Sequence, residues 1–368
     1  MSAAHTDVHF PAVSLEERNL EAMFELTLSR QHDAAFEHVA SLDAIQREEF
    51  LKLADSHHVV LRTLQPVAQW AKENGKSNLA EWARTAIADE QARIQNAVTV
   101  LHHITTELEA AGCPSVTIKT LDHQPDLGND LDLYTSADPR RLVRVLVNKF
   151  NAHMEPRSWG DRLANKWNFA IPGLRESVEF HVQRLGQTGE HTAMAQRFIS
   201  RRVQKQVDGM SFYVPAAEER IVVATLQRMY RHFYFRVCDI LNSANIVNSG
   251  ELDYEELRSS TEQAGIWAGV ATYLQIVSGY VARYQGQPLP LPEMVRSAAR
   301  FGAERIRVRS RFLRVPVMPE GAALFTRQVT HTALSGDVPA TFRLNLLPPL
   351  ALAAAVAYRL TGSDKGVW

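Results

Sequence analysis

From residue 14 to about 111, apolar positions recur at helical spacing. Ser14 and Glu17 form a capping box, and Leu20, Met23, Phe24 and Leu28 then make one stripe. A second segment, about Leu42 to Glu73, carries Phe50, Leu53, Leu61 and Leu64, with Pro66 expected to kink or divide it. Asn74-Gly75 ends it as a turn. Ser77 is placed to cap a third helix with Ile87, Ile94, Val98, Leu101 and Leu108 on one face. Gly112 and Pro114 then form a stop signal, because glycine tolerates the left-handed position and proline cannot continue a helix.

Alternation replaces helical spacing after Pro114. Ser115–Lys119, with Val116, Thr117 and Ile118, reads as a strand. The loop Asp122–Asn129 is rich in Asp, Pro and Gly, and Leu131–Thr135 reads as a second strand. Ser136 or Asp138 can cap the next helix, with Pro139 in its first turn and Leu142, Val143, Leu146 and Val147 turned inward. Lys166–Ile171 and Ser177–Leu185 read as further strands joined through Pro172-Gly173, making a mixed α/β pattern of about 90 residues. From Pro215 the pattern is helical again, clearest over Ile221–Ile240 and Tyr254–Tyr284. Gln285–Pro292 reads as a linker and Arg296–Arg314 as an arginine-rich stretch. An apolar helix near Leu350–Leu360 and a polar tail, Thr361–Trp368, close the chain.

Composition narrows the classes. A chain of 368 residues predicts two or three domains. A net charge of −1 means that any nucleic-acid or membrane contact must come from a local patch. Two distant cysteines, Cys113 and Cys238, fit a reducing compartment and exclude a disulfide scaffold. Met1–Pro11 lacks a signal pattern and no apolar run reaches spanning length, so the expected location is cytoplasmic.

The chemistry concentrates at Ile118-Lys119-Thr120, then nine residues, then Asp130-Leu131-Asp132-Leu133. Aspartates at i and i+2 on a strand project to one face. Carboxylates that close repel unless a cation lies between them, and hard divalent ions prefer oxygen ligands. A further acid, Glu179, sits in the apolar-acid-apolar run Val178-Glu179-Phe180; Glu176 is its rival, and His181 shares its face.

These motifs resemble the polymerase-β-like nucleotidyltransferases, within them a broad group of poorly characterised bacterial members, with AbiEii-type toxins more distant. Those proteins carry an apolar residue, glycine, then glycine or serine, a gap, and Asp-x-Asp/Glu between apolar residues, with a third carboxylate on a later strand. Ile118, Thr120, Asp130, Asp132 and Glu179 match that pattern; Lys119 stands where the first glycine is usual. The likeness spans roughly residues 113–280. It implies an α+β fold: a nucleotidyltransferase core with a mixed sheet at 112–212, a helical domain at 213–286, an N-terminal helical region at 1–111 and a basic, apolar C-terminal region at 287–368.

By the same resemblance, Asp130, Asp132 and Glu179 hold Mg²⁺ or Mn²⁺ and carry catalysis, with Glu179 helping to take the acceptor's proton. Lys119 and Thr120 hold the triphosphate, while Arg228 and Arg231, on a helix with His232 and Arg236, face the nucleotide. The implied reaction moves a nucleoside monophosphate from an NTP to an acceptor hydroxyl. The acceptor stays open among a tRNA end, a protein hydroxyl, a small alcohol, and a sugar or lipid phosphate. A catalytically silent nucleotide-binding member of the fold is the second reading, motivated by Lys119.

Plainer roles compete elsewhere. Asp122 and Asp126 suit turns and Asp138 a cap. His57-His58 and His102-His103, adjacent on a helix, point apart, which favours packing over metal binding. The patch Arg296, Arg300, Arg305, Arg307, Arg309, Arg311 and Arg314 suits RNA, anionic headgroups or an acidic partner. Alternation from Arg305 to Arg311 also suits a strand. With the apolar C-terminal segment, the patch leaves a buried helix, a subunit contact or peripheral membrane attachment as alternatives.

Overall fold

The computed structural model describes residues 14–309 and 311–361. Met1–Pro11 and the tail after Thr361 lie outside the described residues.

Ser14 caps α1 (Leu15–Leu28) as expected: its hydroxyl accepts from Glu17 N–H at 3.1 Å, and Glu17 Oε2 accepts from Ser14 N–H at 3.0 Å. Helices α2 (Asp33–Ser41), α3 (Ala44–Ser56) and α4 (Val60–Glu73) follow. The segment expected over Leu42–Glu73 breaks at His57-His58 and not at Pro66, which stands inside α4. The break is tied from a distance. Val237 N–H donates to His57 Nδ1 at 3.0 Å, and His57 Nε2 donates to the Arg311 carbonyl at 2.7 Å. The long α5 (Ser77–Ala110) starts without the expected Ser77 cap, since Lys76 occupies the cap position with no side-chain bond. It stops at Gly112, whose φ is +66°.

The central sheet contains β1 (Ser115–Thr117), β2 (Asp130–Thr135), β3 (His153–Met154), β4 (Lys166–Ala170) and β5 (Ser177–Val182), in the order β1-β2-β5-β4-β3. Only β2 and β5 run parallel, so the sheet is mixed. Asp138 caps α6 (Pro139–Phe150) by accepting from Arg140 N–H at 2.8 Å. Side-chain alternation divides the sheet into two faces. Leu131, Leu133, Val178 and Phe180 pack against α5 and α6 through Val98, Leu101, Leu142 and Leu146. Each such buried side chain contributes about 1.5–3 kcal/mol. The other face, bearing Asp130, Asp132 and Glu179, is left for chemistry.

After α7 (Trp159–Ala164) and α8 (Ala193–Ser200), a hairpin of β6 (Val203–Val207) and β7 (Met210–Val214) leads into α9 (Ala217–Thr225). Here the sequence reading needs correction. The helix expected over Ile221–Ile240 gives way to a π-helical turn, Leu226–Arg231, and then to a short strand, β8 (Tyr234–Phe235). Phe233 has φ +53°, which no α-helix accommodates. Arg228, Arg231 and Arg236 therefore do not share a helical face. α10 (Val237–Asn248) restarts beyond them, and α11 (Tyr254–Gln263) and α12 (Trp267–Gln285) are separate helices broken at Gly265. These helices bury Ile221, Ile240, Val270 and Leu274 in one core with Leu20, Phe24, Phe50 and Leu64 of α1, α3 and α4.

The C-terminal part holds α13 (Glu293–Ala298), β9 (Arg307–Arg309), β10 (Phe312–Arg314), α14 (Ala322–Leu334), α15 (Val338–Asn345) and α16 (Leu347–Thr361). The expected strand character of the arginine stretch is realised over β9. The terminal helix is not buried: Leu352 and Leu360 are exposed. Among the described residues no helix is long and apolar enough to cross a membrane.

Candidate functional site

Strand register builds the acid cluster. In the parallel β2–β5 pair Asp132 lies directly opposite Glu179, and Tyr134 opposite His181. On the far side of β5, Lys166 of β4 lies opposite His181. Asp132, Glu179 and His181 each bring one ligand atom within 4.8 Å of the others, and all three are buried. Asp130 stands one pleat away at the mouth, exposed, and is not part of that triplet.

Each buried acid has a cation on it. Lys119 Nζ lies 2.9 Å from Asp132 Oδ1. Lys166 Nζ lies 2.5 Å from Glu179 Oε2, and His181 Nε2 donates to Glu179 Oε1 at 3.0 Å. Burial raises Glu179, but the His181 hydrogen bond and the Lys166 charge outweigh it and hold the carboxyl well below its usual range. Burial wins at Asp132: despite Lys119, and with Glu179 and Asp130 adding repulsion, its pKa is pushed up to about 6. Desolvation, then the Glu179 charge, raises Asp130.

Lys119 itself has φ +46°. This is the position where the resembling proteins usually have glycine, and the conformation is one that glycine tolerates without the Cβ penalty. Thr120 is buried and serves as a peg: its hydroxyl accepts from Asp132 N–H at 2.8 Å. That bond fixes β2, and Thr120 is not among the residues lining the cleft that Asp132 opens into. Glu176 is excluded as the third acid, because Arg93 of α5 bridges it to Glu90 behind the sheet.

Asp130, Asp132 and Lys119 open into a cleft whose wall also includes Arg220, Arg228, Arg236, His58, His123 and Asn242. Two of the three arginines are compensated. Arg220 pairs with Asp122 at 2.7 Å and Arg228 with Asp239 at 2.7 Å. Arg236 donates to the His58 ring at 2.6 Å and has no carboxylate partner for its side chain among the described residues. Burial, followed by the Arg236 charge, drives the His58 pKa well below its usual value. Arg236 Nε, His58 Nδ1 and Asn242 Oδ1 are buried without hydrogen-bond partners. Orphaned groups converging on one cleft suit a polar ligand. Arg231 is not on this wall; it lines a neighbouring hollow with His181 and Gln187.

Asp122 thus holds an arginine, and Asp126 caps a distant helix, accepting from Leu61 N–H at 2.6 Å and Arg62 N–H at 3.3 Å. The sequence reading missed Lys166, His58, His123, Arg220 and Asn242 as components of the site, and reached Arg236 only as a basic residue of a helix that does not form. His58 and His123 pack ring to ring at 5.4 Å, but their segments are far apart in the chain. Lys166 alone carried a local signal, a charge beginning a strand beside Glu179.

No family model matches the chain, and no curated protein matches it. Among solved structures, a crystal structure of an antigenic nucleotidyltransferase-like protein from Paracoccidioides brasiliensis is similar at 16% identity, over 46% of this chain and 86% of that one. The TM-score is 0.32, an overlap too loose to carry an argument about fold or activity.

Proposed function

We propose that the chain is a divalent-metal-dependent nucleotidyltransferase, moving a nucleoside monophosphate from an NTP to an acceptor hydroxyl. The observation that carries this is the register of Asp132 against Glu179, with Asp130 on the same face at the mouth of an arginine-walled cleft. The donors suit a divalent cation: two carboxylates, one imidazole and an Asp132 oxygen without a hydrogen bond. Asp132 and Glu179 would hold Mg²⁺ or Mn²⁺, with Asp130 joining from the mouth. The metal supplies charge neutralisation at the transferring phosphoryl group.

The chain's own residues do the rest. Arg236, and Arg228 and Arg220 beside it, bind phosphate oxygens. Lys119, tethered to Asp132 in the free protein, is the nearest cation to turn toward phosphate. A carboxylate of the cluster takes the acceptor's proton as the acceptor oxygen bonds to the α-phosphorus and pyrophosphate leaves with the electron pair of the broken P–O bond.

A second reading has its own observation. Lys119 and Lys166 already neutralise both buried acids, so a silent member of the fold needs no metal. Isothermal titration of the protein with each NTP in Mg²⁺, repeated in Asp132→Asn, tests the assignment. Binding that requires both metal and Asp132, together with pyrophosphate release, supports the enzyme; retained NTP binding without pyrophosphate release supports the silent module.

A further inference from the structure

Beyond the cleft, the arginine stretch folds onto β8. The three strands pair in the order β8-β10-β9, with Arg314 opposite both Tyr234 and Arg307, and Phe312 opposite Arg309. Residues paired directly, or two apart on a strand, share a face. Tyr234, Phe312, Arg307, Arg309 and Arg314 therefore occupy one face, while Phe235 and Leu313 are buried on the other.

That face is continuous with the cleft. The Tyr234 and Phe312 rings lie 4.5 Å apart, and the Arg314 guanidinium stands 5.1 Å from Tyr234. Arg228 at 5.4 Å and Arg236 at 5.9 Å from the same ring both line the cleft. Arg307 and Arg309 are exposed and have no carboxylate partner among the described residues, whereas Arg305 is taken by Glu320. With the whole chain at −1, this is a local cationic track with aromatic rings set into it.

We propose that this face docks a single-stranded nucleic acid whose terminal hydroxyl enters the cleft as the acceptor. Cations without carboxylate partners match a phosphate backbone, and half-exposed rings set among them suit unpaired bases, which would replace a guanidinium on the ring. The acceptor step rests on the nucleotidyltransferase assignment; the docking surface does not.

The test uses the full chain and fluorescein-labelled RNA and DNA strands of about 12 nucleotides, read by anisotropy across a salt series. A duplex of the same length and phosphatidylglycerol vesicles are run beside them. The double variant Arg307→Glu/Arg309→Glu should bind the strands at least tenfold more weakly. Its log–log salt slope should be shallower by about 1.4, at about 0.7 per lost phosphate contact. Arg307→Lys/Arg309→Lys should retain most of the affinity, and both variants should keep the wild-type circular dichroism and Mg²⁺–NTP titration. Absent strand binding, equal affinity in the charge-reversed variant, or equal binding of duplex or vesicles through the same arginines overturns the proposal. If strand binding follows the arginines but no metal-dependent NTP binding is found, the docking surface stands and the acceptor step falls with the enzyme assignment.

Discussion

Replacing Lys119 by glycine removes a counter-ion and relieves a backbone at φ +46° in one change. At 2.9 Å and an effective dielectric near 20, the Lys119–Asp132 attraction is about 6 kcal/mol gross. Desolvation of both groups, and the partial exposure of the lysine, reduce the net to about 1–3 kcal/mol. Left-handed strain returns about 1 kcal/mol to the variant. Without metal, Asp132 then faces Asp130 and Glu179 with no cation of its own. Lys119→Gly should therefore melt a few degrees below wild type in EDTA, and the gap should close or reverse in millimolar Mg²⁺. Because the ammonium no longer competes for the Asp132 oxygen, Mn²⁺ should bind about tenfold more tightly by titration calorimetry, equivalent to about 1.4 kcal/mol. If Lys119 supports NTP binding as proposed, affinity for the Mg²⁺–NTP complex should fall even as affinity for the bare metal rises. Bare-metal affinity that stays unchanged or weakens would refute the view of Lys119 as a tethered counter-ion.

Three further outcomes follow from the packing. Burial raises Asp126 from 3.8 to about 7, so between those values the folded state holds a proton that the unfolded state has released. Stability should fall as pH rises through that window, by up to about 4 kcal/mol; urea unfolding of wild type and Asp126→Asn from pH 4 to 8 checks it, and a pH-independent difference between them contradicts it. Arg93→Met strips the cation from buried Glu176 and Glu90 and should cost about 3–5 kcal/mol by denaturant unfolding while leaving metal binding at the other sheet face intact. Gly269→Ala places a Cβ 2.3 Å from the Tyr230 hydroxyl on the π-helical turn, for an expected loss of about 1–3 kcal/mol; a neutral melting temperature would show that the turn yields freely.

The acid cluster was legible because its information is local. Alternation of Asp130, Leu131, Asp132 and Leu133 sets the face, and the same alternation chooses Glu179 over Glu176. Of the opposite wall only Arg228 and Arg236 were legible, as basic residues of an expected helix that breaks; His58 and Asn242 come from a helix break and a helix, and only tertiary packing joins them. The break after Arg231 carries no glycine or proline to mark it, so helical periodicity ran through Phe233 unchecked. Pro66 erred the other way. It promised a break that α4 absorbs, whereas His57-His58 make the real one by bonding to Val237 and Arg311, far along the chain. Thr120 matched a motif position, but its hydroxyl is engaged in holding β2.

The most direct test of the central claim is transfer itself. Protein incubated with α-labelled NTPs, Mg²⁺ and cell extract should label an acceptor and release pyrophosphate in proportion, and Asp132→Asn and Glu179→Gln should each abolish both signals while remaining folded. Label transfer that persists in either variant, or a wild-type protein that neither binds NTP with metal nor releases pyrophosphate, would contradict the assignment of the Asp132–Glu179 cluster as a nucleotidyl-transfer centre.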